Sequence, residues 1–230
     1  MADFVSKLLS KSIRNIWKAS RKAARKSGMD YSLLDSLGRR KYLVPAERKR
    51  FLQAALDVGG PTASFCAVIA LTGMRITEAL ELTPNRIDEA TCCISVETLK
   101  QRRRGIFRSV PIPRELILYL DGVHDLSTAR GDPTRADAPI WPWSRTTGWR
   151  RIQAVMRRAA APSYASHARA LRHAFGVEAS MEGVILTMVQ KWLGHSDIRT
   201  TTVYTTVVGR EEQALAGRTW QNLIDELRDR

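Results

Sequence analysis

Hydrophobic positions recur along this chain at two different periods, and the switch between them divides it. Near the N-terminus Val5, Leu8, Leu9, Ser12, Ile13, Ile16 and Trp17 fall at helical spacing, with Lys7, Lys11, Arg14, Lys18, Arg21, Lys22, Arg25 and Lys26 mostly elsewhere on the wheel. That pattern predicts an amphipathic helix ending at Gly28. A second segment opens at Leu43. Pro45 suits a first helical turn, and Phe51, Leu52, Ala55 and Leu56 supply an apolar face until Gly59, Gly60 and Pro61 break it. Residues 62–82 form a richly apolar helical run interrupted at Thr72-Gly73. The period then falls to two. ISVET (94–98) and FRSVPI (107–112) alternate and are β-branched, and the polar KQRRRG between them predicts a β-hairpin. A short helix at 114–120 follows, and then 124–140, whose Gly, Pro, Asp and Ser read as a loop. Helices are expected at about 145–160, 168–182, 186–194, 197–207 and 210–228. The fold class is mainly α with one small antiparallel β-sheet (α+β). No internal repeat or low-complexity tract interrupts it.

Composition narrows the function. At 230 residues, 44% of them hydrophobic, the chain can build the core of one ordinary domain with an appendage. No run of eighteen apolar residues occurs, so no membrane-spanning helix is expected. Charges throughout the N-terminus exclude a secretory signal peptide, although its Arg- and Ser-containing amphipathic character is shared with organellar transit peptides. Cys66, Cys92 and Cys93 form no CxxC pair. Neither a disulfide framework nor a structural zinc site is expected, and a reducing cytoplasm fits. The net charge of +14 points to a polyanion, either nucleic acid or an anionic membrane surface. Residues 1–50 hold fourteen Lys and Arg against four acids, which places +10 of that charge there. The N-terminal helix therefore reads either as docked on the body through its apolar stripe or as an arm along phosphates, with Lys18, Arg21, Lys22 and Arg25 as DNA contacts. A membrane-surface helix is a third reading.

Several polar residues sit where burial is expected. Arg75 lies among Ile76, Leu80 and Leu82, and Glu78 one turn on is a ready partner. The pair reads as a structural ion bridge or as an arginine held toward a phosphate. Arg172 likewise lies among Ala168, Leu171 and Phe175. Two such guanidinium forks could grip the non-bridging oxygens of one phosphodiester. Lys100 and its neighbours Arg102, Arg103 and Arg104 make the hairpin tip a phosphate finger or a solvated turn. Gly194 suits a helix end and Ser196 the next N-cap, after which a helix would carry Tyr204. Trp141, Trp143 and Trp149 read as core, and His124 as exposed.

Taken in order, TGMRITE (72–78), Lys100 in the hairpin, RALRH (169–173), LGH (193–195) and Tyr204 nine residues after His195 resemble the tyrosine recombinase (phage integrase) family over roughly residues 43–225. The resemblance implies that family's catalytic-domain fold for 43–230, with 1–42 as a basic helical arm. It also implies a site-specific DNA recombinase that breaks and rejoins strands without metal, nucleotide or other cofactor. Tyr204 would attack the scissile phosphate and stay on its 3′ side. Arg75 and Arg172 would neutralise the oxygens, Lys100 would protonate the leaving 5′ oxygen, and His195 would donate to the phosphate. The surrounding cations would favour the ionised phenol. Glu78 and His173 would support the site. The implied partner is double-stranded DNA, bound by a homotetramer on paired sites, with no membrane involved, in a cytoplasmic, nucleoid-associated setting. Residues 210–228, with Leu215, Trp220, Leu223 and Ile224, would dock on a neighbouring protomer or pack in cis.

Two features depart from the pattern. Arg169 stands where the family's "HxLRH" box opens with histidine, and His167 is two residues out of register. Arginine can donate to a phosphate oxygen but cannot exchange a proton near neutral pH. Most members also carry a core-binding domain of about a hundred residues, a common size for a small domain. Some forty residues precede the boxes here, so either the basic helix stands in for that clamp or less surface reads the DNA. The competing readings are a catalytically idle DNA-binding protein on the same fold, a metal-dependent relaxase and a helix-turn-helix regulator. The spacing of His124, His167, His173 and His195 disfavours the relaxase, and the arginines in apolar settings disfavour the regulator.

Overall fold

The computed structural model describes residues 32–98, 105–205 and 217. Contacts divide the chain into Met1–Ser32 and Leu33–Arg230, and the described helices and strands belong to the second unit. Helix α1 (Pro45–Val58) starts with Pro45 at its first turn and with the Glu47 carboxylate accepting the Val44 N–H at 3.0 Å. Helix α2 (Gly60–Thr72) is apolar all round and runs through the core, where Phe65, Cys66, Val68 and Ile69 are fully buried. Burial pushes the Cys66 thiol up to about 12, which makes it a packing residue and not a nucleophile. Gly73, at φ 65°, ends α2 in the left-handed conformation. A Cβ there would fall 2.9 Å from both Leu193 and Phe175, so the glycine also permits close packing. Helix α3 (Ile76–Leu80) follows at once.

The expected hairpin is present as β2 (Cys93–Glu97) against β3 (Phe107–Pro111), with Ser95 opposite Ser109. A two-residue strand, β1 (Ile87–Asp88), adds to β2 and makes an antiparallel sheet of order β1-β2-β3. Helix α4 (Arg114–His124) runs one turn longer than its sequence suggests.

The loop expected over 124–140 instead holds two short helices, α5 (Leu126–Gly131) and α6 (Pro133–Ala136). Leu126 and Ala129 are buried, Pro133 presets the first turn, and the Asp132 side chain accepts the Thr134 N–H at 2.8 Å. His124, expected to be exposed, is half-buried, with Nε2 2.8 Å from Ser64 Oγ. The same hydroxyl accepts the Trp141 indole N–H at 3.1 Å. Trp141 is buried edge-on to Phe65, whereas Trp149 is about half exposed and so departs from the expected core position.

Helices α7 (Arg145–Arg158), α8 (Ala168–Met181) and α9 (Leu186–Leu193) stand close to where periodicity puts them. The helix expected over 197–207 is replaced, within the described residues, by two 3₁₀ turns, Ile198–Thr200 and Thr202–Thr205. Three consecutive β-branched threonines explain the change. The hydroxyls of Thr200, Thr202 and Thr205 each bond a carbonyl three residues back, at 2.6, 2.9 and 2.7 Å, and so compete with the helical ladder. The cap is Asp197, whose carboxylate accepts the Arg199 N–H, and not Ser196. The expected helix at 210–228 and the N-terminal helix lie outside the described residues.

Candidate active site

Three arginines from three parts of the chain meet around one buried carboxylate. Arg75 opens α3. Its Nη1 donates to Glu78 Oε1 at 2.7 Å, and its backbone N–H donates to Oε2 at 2.8 Å. This is the partner the spacing predicts, with the Glu78 side chain fully buried. Arg108, on β3, donates from Nη2 to Oε2 at 2.8 Å and from Nη1 to Oε1 at 3.3 Å. Arg172, on α8 and only 7% exposed, donates from Nη1 to the Gly73 carbonyl at 2.9 Å and from Nη2 to the Leu193 carbonyl at 2.6 Å. It thereby ties the end of α2 to the end of α9.

These four side chains carry three positive charges and one negative. Burial would raise the Glu78 carboxyl, but the charges and hydrogen bonds of Arg108 and then Arg75 outweigh it and hold the group below its ordinary range. Burial, then repulsion from Arg75, brings Arg172 down to about 10, with Arg108 adding a smaller repulsion and Tyr204 and Glu78 opposing both. Arg172 remains a cation at neutral pH. Cations placed to repel one another across a cleft favour an anionic ligand.

Tyr204 lies beside them and is 1% exposed. Its hydroxyl is 3.4 Å from His173 Nδ1, and its ring stacks on His195 with centroids 6.2 Å apart and 17° between planes. Gly176 of α8 makes the seat: a Cβ there would fall 2.4 Å from the Tyr204 ring. Arg172 and Arg75 act on the phenol in the expected direction. Burial outweighs them and pushes it up to about 12, so in this arrangement the tyrosine is protonated, which corrects the expected net effect of the cations. His173 is pushed down to about 3 by burial, then by Arg172 and Arg169. His195 Nδ1 is 2.8 Å from the hydroxyl of Thr201, which is fully buried. An open cavity of about 310 Å³ adjoins the site, lined by Thr98, Ile106, Arg108, Gln190, Lys191 and His195.

The structure thus brings Arg75, Glu78, Arg172, His173, His195 and Tyr204 together. Arg169 is exposed on the first turn of α8. His167 caps that helix, its Nδ1 accepting the Ala170 N–H at 3.0 Å, which accounts for a histidine out of register. Lys100, Arg102, Arg103 and Arg104 lie outside the described residues, as do Lys18, Arg21, Lys22 and Arg25. Sequence reasoning missed Arg108, Thr201 and Gly176. Arg108 left a signal: strand alternation puts it on the same face as buried Val110. Among the described residues no cluster of three His, Cys, Asp or Glu is arranged to hold a metal, and no helix is long and apolar enough to cross a membrane.

Residues 41–210 match the phage integrase family. The chain is 31% identical over 180 residues to the tyrosine recombinase XerD of Pseudomonas aeruginosa, covering 73% of this chain and 58% of that protein. It is 31% identical over 144 residues to the XerD of Haemophilus ducreyi, covering 59% of this chain and 46% of the relative. The chain therefore spans about half the length of the curated relatives it matches. Among solved structures, the crystal structure of XerA recombinase matches with a TM-score of 0.65 at 23% identity, over 77% of this chain and 65% of that one. The catalytic domain of bacteriophage HP1 integrase matches with a TM-score of 0.53 at 22% identity, over 71% of this chain and 86% of that one.

Proposed function

The chain belongs to the phage integrase family of tyrosine recombinases, and on that premise we propose that it is a site-specific DNA recombinase working through a covalent phosphotyrosyl intermediate at Tyr204. The observation that carries the proposal is the gathering of Arg75, Arg172, His195 and Tyr204 in one site, with more positive charge than Glu78 offsets. A phosphodiester is the anion that suits this cleft. Arg75 and Arg172 neutralise its non-bridging oxygens as charge grows on them, a contribution of about 100- to 1,000-fold in rate for a preorganised donor of this kind. The Tyr204 oxygen forms a bond to phosphorus as the bond from phosphorus to the 5′ oxygen breaks. The phenol gives up its proton to water, and Lys100 supplies one to the departing oxygen. Thr98 and Ile106, which flank the hairpin tip carrying Lys100, line the same cavity as His195, and this supports Lys100 in that role. His195, held through Nδ1 by Thr201, donates to the phosphate. Arg169 adds a third positive contact. One phosphoester bond replaces another, so resealing needs no nucleotide, metal or other cofactor.

Cleavage requires Tyr204 to leave its seat, because a tyrosine 1% exposed cannot be reached there by a DNA phosphate. The partner is double-stranded DNA, and the working assembly is a homotetramer on paired sites. The same buried tyrosine, with Arg169 in the box, favours one second reading, a DNA-binding protein on this fold that no longer cuts. To separate the two, the purified protein is mixed in EDTA with supercoiled DNA carrying its own gene's flanks and stopped with SDS. Protein-linked DNA from the wild type and none from Tyr204→Phe is the expected result. Tight binding to a competent site without adduct would establish the idle binder.

A further inference from the structure

Arg108 has no part in the steps above, yet it is the most heavily bonded side chain of the cleft. It is 7% exposed and makes four hydrogen bonds, against five N–H groups on a guanidinium. Two go to the carboxylate of Glu78. A third runs from Nη1 to Thr98 Oγ1 at 3.4 Å, at the base of the hairpin tip. The fourth runs from Nε to the Trp192 carbonyl at 2.9 Å, in the last turn of α9. Two residues on is Gly194, where a Cβ would fall 2.8 Å from the Arg108 guanidinium carbon, so this glycine is needed for contact as well as for its φ of 65°. His195 follows directly. One side chain therefore touches the segment that anchors Arg75, the strand ends that carry Lys100 and the turn that carries His195.

We propose that Arg108 is a positioning residue for strand cleavage: it holds Glu78 turned toward Arg75 on one side and fixes the His195 turn on the other, with its donors spent inside the protein instead of on DNA. The proposal rests on the recombinase reading. It accounts for a cation at a core-facing position of a strand, which is costly unless the charge is paired and its donors are satisfied. It also accounts for Glu78 being shared: Arg108 carries the buried side of the carboxylate and leaves Arg75, a third exposed, facing the cleft.

The test uses Arg108→Lys, which keeps a charge but cannot fork to Glu78 and reach the Trp192 carbonyl together, and Arg108→Met with Glu78→Gln, which removes both members of the pair so that neither is left buried without the other. Two measurements are made on the whole protein. The first, without DNA, is the nitrogen NMR signal of the His195 imidazole, assigned with His195→Asn. It is expected to move or broaden in Arg108→Lys, and an unchanged signal would overturn the positioning of His195. The second compares DNA affinity with the single-turnover rate of adduct formation. Affinity is expected to stay near wild type while the rate falls about 100-fold, the usual consequence of a small misplacement of reacting groups. The double variant is expected to be no slower than Glu78→Gln alone. Affinity falling in step with rate would mean that Arg108 binds DNA, and an unchanged rate would mean that the junction is only structural. Either result overturns the proposal. If the wild type itself forms no adduct, the recombinase reading has failed, and the NMR comparison still decides whether Arg108 positions His195.

Discussion

Replacing Gly176 by alanine tests the buried seat of Tyr204. In an ordinary helix interior that change stabilises by about 1 kcal/mol. Here the new Cβ falls 2.4, 2.5 and 2.6 Å from Cζ, Cε2 and Cε1 of the Tyr204 ring, far inside contact distance. Helix α8 is packed along α2 and cannot recede, whereas Tyr204 stands on a short 3₁₀ turn, so the ring is what moves. Unseating it forfeits about 1.5–3 kcal/mol of burial. Set against the helical gain of about 1 kcal/mol, the net loss is about 0.5–2 kcal/mol, and the melting temperature falls by about 1–8 °C for a chain of this size. A second reading comes from the phenol. Burial is the main cause of its rise to about 12, so the freed side chain titrates near its ordinary value of about 10. Near-ultraviolet pH titration measures this, with Tyr204→Phe supplying the background of the other tyrosines. A variant that melts higher than the wild type and keeps a tyrosine titrating near 12 would refute the account of the seat.

Two further outcomes follow from the same geometry. His173 is held neutral, with its folded value near 3 against about 6.5 unfolded, so the unfolded chain binds more protons between those values. Its contribution is complete above about 6.5 and is lost as pH falls toward 3, at up to about 1.4 kcal/mol per pH unit; denaturant titrations should therefore show a shallower acid slope in His173→Asn, and an unchanged slope would show that His173 is not the group responsible. Thr201→Val removes the hydroxyl on His195 Nδ1, a bond worth about 1 kcal/mol net, so single-turnover adduct formation should slow by about 5- to 10-fold with DNA affinity unchanged. A wild-type rate would mean that something else sets the orientation of His195.

The family was legible as a set of short boxes in a fixed order, two of which place an arginine, Arg75 and Arg172, among otherwise apolar neighbours. The match over residues 41–210 bears out that resemblance. The pairing of Arg75 with Glu78 was legible for a local reason, since three residues along a helix start are neighbours whatever the rest of the chain does. Arg108 was not, because its partners lie 30 and 84 residues away and only its place on the strand hinted that it points inward. The helix expected over 197–207 failed on local chemistry. Apolar spacing suggested a helix, and threonine hydroxyls bonding their own backbone overruled it. The loop expected over 124–140 failed in the opposite sense, since a capping aspartate and a buried leucine suffice for short helices that composition conceals. A lone tyrosine is usually a core residue, and Tyr204 is buried, but the seat that buries it was not legible. It depends on Gly176, 28 residues earlier, having no side chain.

The proposed mechanism stands on a covalent bond between Tyr204 and DNA. The direct measurement is mass spectrometry of the trapped adduct after nuclease and trypsin digestion. Trypsin releases residues 200–210, TTTVYTTVVGR, in which Tyr204 is the one tyrosine. A phosphonucleotide on that tyrosine is the predicted result. A nucleotide on any other residue, or adduct that persists in Tyr204→Phe, would contradict it.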